Sequence, residues 1–277
     1  MARVEGQVAL ITGAARGQGR SHAIKLAEEG ADVILVDVPN EVVDIGYSLG
    51  TADELDQTAK DVENLGRKAI VVHADVRDLE SLTAEVDRAV SVLGRLDIVS
   101  ANAGIASVPF LSHDIPDNTW RQMIDINLTG VWHTAKVAVP HILAGERGGS
   151  IVLTSSAAGL KGYAQISHYS AAKHGVVGLM RSLALELAPH RVRVNSLHPT
   201  QVDTPMIQNE GTYRIFSPHL ENPTREDFEI ASTTTNALPI PWVESVDVSN
   251  ALLFLVSEDA RYITGAAIPV DAGTTLK

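Results

Sequence analysis

Short apolar runs rich in β-branched residues recur along the chain, separated by longer stretches whose apolar residues return every three or four positions. The runs are QVALIT (7–12), ADVILVD (31–37), KAIVVHAD (68–75), LDIVSANAG (96–104), GSIVLTSS (149–156), RVRVNSLHP (191–199) and AAIPVDAG (266–273). Most are continuously apolar rather than alternating, the pattern of strands covered on both faces. The stretches between them, such as GRSHAIKLAEEG, TADELDQTAKDVENLG, LESLTAEVDRAVSVLG and DVSNALLFLVSED, carry helical periodicity. Thr51 and Glu54 form a capping-box pair at the start of the second, and Gly66 closes it. Repeated strand–helix alternation predicts an α/β fold, a parallel seven-stranded sheet doubly wound with helices on both faces, as one domain over 1–277.

Two segments break the rhythm. One is PNEVVDIGYSLG (39–50), about twice the usual loop of roughly 2–6 residues between a strand and its helix. The other is the Pro-rich segment 200–243. Long ordered loops in compact domains often serve as lids or binding loops. Composition narrows the field. Hydrophobic residues make up 45% and aromatic ones only 4%, so the core is expected to be aliphatic and Ala-rich. A formal net charge of -12 argues against nucleic acid or an anionic membrane as partner. The absence of cysteine excludes disulfides and thiolate metal ligands. No secretory signal and no uncharged apolar span of ~18 residues is apparent, so a cytoplasmic protein is expected.

Chemistry enters at the strand ends. Gly13, Gly17 and Gly19 follow the first strand in a G-x-x-x-G-x-G spacing, with Arg16 and Gln18 inside the loop. Glycines let the backbone approach a pyrophosphate, and the following helix offers free N–H groups and a positive dipole end. Asp37 ends the second strand, where a carboxylate can accept hydrogen bonds from an adenosine ribose and repel a 2′-phosphate. Arg16 could hold a 2′-phosphate, but Val38, Pro39 and Asn40 supply no second base beside Asp37. NAD is therefore expected over NADP, in a Rossmann-type fold. Asp75 and Val76 fall where an adenine edge could be read, and Asn102, Ala103 and Gly104 end the fourth strand at the ligand-binding rim. Farther on, Tyr169 and Lys173 are four apart and stack on one helix face.

Together these residues resemble the short-chain dehydrogenase/reductase superfamily, nearly end to end. T-G-x-x-x-G-x-G stands at Thr12–Gly19, N-A-G at Asn102–Gly104 and Y-x-x-x-K at Tyr169–Lys173. The resemblance implies Ser156, thirteen before the tyrosine, as the active-site serine, with Ser155 the competing choice. It implies Asn127 as the structural and relay asparagine. Pro199, Val202 and Thr204 match the segment that binds the nicotinamide amide. Thr200 replaces the family's usual Gly, and Gln18 its usual aliphatic residue. GAARGQGRSHA, the loop after Asp37 and the 200–243 segment look like the carveol dehydrogenase subgroup, also called mycofactocin-dependent oxidoreductases. That likeness implies a tightly held NAD, a small redox peptide as electron acceptor and, by family habit, a homotetramer built through the helices carrying Asn127 and Tyr169.

Hydride transfer needs a base for the hydroxyl proton and support for alkoxide charge. Tyr169 is the expected general acid/base. A phenol of pKa ≈ 10 must drop by about three units to act near neutrality, roughly 4 kcal/mol, which Lys173 and the nicotinamide ring are expected to supply. Lys173 should also hydrogen-bond the nicotinamide ribose, Ser156 donate to the substrate oxygen, and Asn127 position water behind the lysine. The ten histidines match no ligand pair, so no metal is expected; His168 is read as packing locally and His198 as part of the nicotinamide-loop backbone. Met206, Ile207, Tyr213, Ile215, Phe216 and Trp242 suggest an apolar cover for a neutral, hydrophobic secondary alcohol or its ketone. The alternatives are the same chemistry with non-exchanging NAD, and an NAD(H)-sensing protein without turnover.

Overall fold

Each apolar run becomes a strand of one all-parallel sheet: β1 (Val8–Thr12), β2 (Asp32–Asp37), β3 (Ala69–His73), β4 (Ile98–Ala101), β5 (Gly149–Thr154), β6 (Val192–Pro199) and β7 (Ala267–Val270). The structure, a computed structural model, describes residues 2–37 and 44–277. Val38, Pro39, Asn40 and the rest of the first half of the 39–50 insertion lie outside the described residues. Strand order is β3-β2-β1-β4-β5-β6-β7, so the winding reverses between β1 and β4. Ligands of such sheets sit at that switch point, beyond the strands' C-terminal ends.

The period of two along each strand divides the core. Leu10, Ile34, Val36, Val99 and Leu153 face one side, with α3 (Leu79–Leu93), α5 (Gly130–Ala144) and α6 (Ser167–Leu187). Ala9, Ile11, Val33, Leu35 and Val152 face the other, against α1 (Gly17–Glu28), α2 (Ala52–Asn64) and α9 (Ser245–Val256). Burying each such Leu or Ile stabilises the fold by roughly 1.5–3 kcal/mol. Several runs outlast their strands: Asp75, Asn102–Gly104, Ser155 and Ser156 lie past the last ladder pair, at the C-terminal edge.

α2 starts as expected, with Glu54 N–H donating to Thr51 Oγ1 (3.2 Å) and Thr51 N–H to Glu54 Oε2 (2.8 Å). Between α4 (Asp117–Ile124) and α5, residues Asp125–Thr129 widen into a π turn, a feature frequent at functional sites. The 200–243 segment carries two helices, α7 (Glu210–Phe216) and α8 (Arg225–Thr235). A bridge between Val202 and Val243 closes its base. Its aromatic residues are used differently from the expected substrate cover. Tyr213, Phe216 and Trp242 pack on fully buried Phe228, with ring centres 5.4, 4.9 and 5.6 Å away, and form the segment's own small core. Met206 instead faces the cleft described below.

Candidate active site

At the switch point opens a cleft of about 1000 Å³, its solvent-open mouth included. Gly13 (φ +70°) begins its floor, and a Cβ on Gly19 would overlap the Gly13 carbonyl, so the loop closes only with glycine there. Arg16 precedes α1 without capping it, and no acidic residue occupies the first turn. The first N–H groups of α1 are therefore left for an anion. Asp37 accepts from Ala15 N–H at 2.8 Å, which places its carboxylate against the same loop. Thr12 Oγ1 accepts from the N–H groups of Asn102 and Ala103, both at 3.1 Å, and fastens β1 to β4 at the mouth. Gly13, Arg16, Gly17, Gln18, Asp37, Asp75, Val76, Asn102, Ala103, Gly104 and Thr204 all line this cleft. An uncapped helix start, a glycine floor and a carboxylate one strand away fit a dinucleotide.

Two cleft features escaped the sequence. Arg77 grips Asp75 through Nε (2.9 Å) and Nη2 (2.6 Å), orienting the carboxylate expected to read adenine. Residues 44–50 cross the cleft as a strap. Tyr47 Oη accepts from Ala106 N–H (3.0 Å), Asp44 O from Val108 N–H (2.8 Å), Asp44 Oδ2 from the Thr119 hydroxyl, and Ser48 Oγ from Arg16 Nη1 (3.3 Å). Tyr47, Leu49 and Gly50 line the cleft from above. The unusual loop length signalled the region, but nothing in the sequence says where its side chains land.

Beside the cleft, Tyr169 packs with Ala103 against the cluster of Val76, Ile105, Met123 and Ile126. Lys173 Nζ lies 5.5 Å from the Tyr169 ring centre and donates to Thr154 O (3.0 Å). Burial pushes the Lys173 ammonium down to about 8. Burial also holds the Tyr169 phenol above its ordinary value, against the opposing hydrogen bond from Ser156. A phenol drawn toward neutrality is thus not what the protein alone provides: desolvation prevails, and the second cation of that expectation belongs to the cofactor.

The adjacent serines separate clearly. Ser155 Oγ donates to Lys173 O (2.9 Å), a buried strut between β5 and α6, whereas the Ser156 hydroxyl meets Tyr169. Asn127 is buried in the π turn, accepting from Ile105 N–H (3.1 Å) and donating to Ile105 O (3.1 Å) and Met123 O (3.2 Å). Gly104 leaves open a point 2.7 Å from Asn127 Oδ1 and 3.5 Å from Lys173 Nζ. Thr204's methyl group comes within 3.2 Å of a Cβ built on Gly17, closing the cleft from the β6 side. Pro199 and Val202 are buried behind it and do not line it. His168 bonds Ser107 Oγ (2.7 Å) and His198 bonds Ser156 O (2.8 Å). Among the described residues no three His, Asp or Glu side chains are grouped to hold a metal.

Comparison with known proteins agrees with this geometry. Residues 7–214 match the family model for short chain dehydrogenases. The chain is 98% identical over 277 residues to a (-)-trans-carveol dehydrogenase of Rhodococcus erythropolis, covering all of both chains. It is 35% identical to a cyclohexanol dehydrogenase of an Acinetobacter species, covering 98% of this chain and 96% of that one. The crystal structure of a carveol dehydrogenase from Mycobacterium avium in complex with NAD superposes with a TM-score of 0.98 at 54% identity, covering 100% of each chain. The chain belongs to the short-chain dehydrogenase family.

Proposed function

We propose that the protein is an NAD-dependent alcohol dehydrogenase that oxidises hydrophobic secondary alcohols of the carveol type, with Tyr169 as general acid/base. The observation that carries the reading is the grouping of the Tyr169 phenol, the Ser156 hydroxyl and the Lys173 ammonium beside the dinucleotide cleft. The α1 N-terminus and Gly13–Gly19 would hold the pyrophosphate, Asp37 the adenosine ribose, and Asp75 with Val76 the adenine. When bound, NAD supplies the hydride acceptor and a positive ring. Tyr169 then takes the alcohol's hydroxyl proton as the hydride leaves carbon. Ser156 donates to the same oxygen and steadies developing negative charge. Lys173 keeps a cation beside the phenolate, and Asn127, facing it across the gap at Gly104, supports a proton path.

Tyr169→Phe removes the acid/base and leaves the cleft intact. Oxidation should fall by about 10²–10⁴-fold, with NAD binding by titration unchanged. Wild-type-like turnover by this variant would overturn the assignment, as an NAD(H) sensor without turnover would predict no activity to lose.

A second reading concerns exchange. The strap 44–50 is fastened to three separate parts of the cleft rim, which supports a tightly held NAD; the family resemblance alone suggests its re-oxidation in place by a small redox carrier of the mycofactocin type. Stoichiometric NAD in the supernatant of denatured, dialysed protein would favour it; free exchange of labelled NAD during turnover would refute it. The homotetramer implied by family habit would need apolar contact faces, and exposed Trp120 and Trp132 on α4 and α5 offer one.

A further inference from the structure

His198 is fully buried on β6 and reaches across to the second residue after β5. Its Nδ1 lies 2.8 Å from Ser156 O, and its Nε2 lies 2.8 Å from Ser196 Oγ. A carbonyl can only accept, so Nδ1 carries the proton and Nε2 accepts from the Ser196 hydroxyl. The Ser156 carbonyl also accepts from Gly159 N–H (2.8 Å), which occupies both of its lone pairs. Ala158 N–H donates to Ser156 Oγ (3.1 Å), and the hydroxyl proton is turned toward Tyr169, the side from which a substrate oxygen would be met. The peptide plane of Ser156 is thus clamped from two sides, and only the clamp from His198 comes from another strand. Pro199 follows directly, so the same imidazole couples the nicotinamide-side loop to the serine.

We propose that His198 is a positioning residue for the reaction: in its Nδ1–H tautomer, set by Ser196, it holds the Ser156 backbone so that the hydroxyl points at the substrate oxygen. The inference rests on the proposed role of Ser156. Its chemistry needs no proton transfer, only a neutral ring of fixed tautomer, and a displaced donor weakens alkoxide support in the transition state rather than alcohol binding.

The test measures kcat, KM for a carveol-type alcohol and bound NAD in His198→Phe, His198→Asn, Ser156→Ala and the double variant Ser156→Ala/His198→Phe. His198→Phe should lower kcat on the order of 10–100-fold, with KM and NAD content little changed. His198→Asn, which returns an N–H near the Nδ1 position, should recover most of the loss. Because His198 acts through Ser156, the double variant should be no slower than Ser156→Ala. Additive losses, or His198→Phe within twofold of wild type while Ser156→Ala is impaired, would overturn the inference alone. An unimpaired Ser156→Ala would overturn the serine's role and this inference with it. Should His198→Phe not fold, Ser196→Ala replaces it: a severalfold loss of kcat confined to the background with Ser156 intact is expected, and equal losses in both backgrounds refute the clamp.

Discussion

Tyr169 and Lys173 are moved in opposite directions by one cause. Burial disfavours charge, so it raises the phenol and lowers the ammonium to about 8. The sign for activity follows. In the proposed mechanism oxidation needs the Tyr169 phenolate, whose fraction grows as pH rises toward a folded pKa held above its ordinary value. Reduction needs the protonated phenol, lost over the same interval. We therefore expect kcat/KM for alcohol oxidation to climb on the alkaline side of neutrality and ketone reduction to decline there. Lys173 is itself neutral above about pH 8, so Lys173→Met should cost oxidation most near neutrality and least at the alkaline end. Identical profiles in the two proteins, measured from pH 6 to 10.5, would remove Lys173 from the electrostatics. At this scale the family resemblance carried the serine expectation: it implies Ser156, whose hydroxyl meets Tyr169, while Ser155 is a strut. The sequence was silent on Tyr47 and Arg77, whose roles depend on where loops come to rest.

Elements were readable where one force dominates. Apolar runs announced all seven strands, continuously apolar in the central ones because both faces are covered, while the edge strands β3 and β7 are only partly buried. The strand ends were overrun, since Ala74, Ala103 and Gly104 stay apolar or small past the point where backbone pairing stops. The 200–243 segment was harder to read. Its Thr224/Asp227 capping box is a local signal, but its aromatic residues look alike whether they face a ligand or, as here, Phe228. The strap 44–50 is the element whose function is most exposed to test. Tyr47→Phe deletes the acceptor for Ala106 N–H, and Thr119→Val deletes the donor to Asp44. Each bond contributes about 0.5–1.5 kcal/mol net, so each change should speed NAD release by roughly 2–10-fold if strap opening limits it. A chase of labelled NAD from the pre-loaded protein reads this directly, and unchanged release rates would show that the strap does not gate the cofactor.

For the molecule as a whole, the histidines set an acid limit. His22 joins α1 to α9, its Nδ1 2.8 Å from Ser249 Oγ, and sits fully buried with no partner on Nε2 among the described residues. Burial lowers it from 6.5 to about 3, and burial also lowers His168 and His198. Below pH 6.5 the unfolded chain takes up protons that the folded one refuses, so stability present above that pH is lost as pH falls. One such group contributes a slope of roughly 1.4 kcal/mol per pH unit while it stays neutral in the fold. Relief of repulsion in a chain of net charge -12 opposes this over the same range. A difference measurement removes that background. Asn can place an N–H near the Nδ1 position and cannot titrate, so His22→Asn should flatten the dependence by about one proton between pH 6.5 and 4.5. Most shifted carboxylates titrate below that window. Urea unfolding of both proteins at half-unit intervals supplies the two slopes. Parallel slopes would mean that His22 is protonated in the fold, and the α1–α9 junction would then have to hold a charge that its surroundings show no means of satisfying.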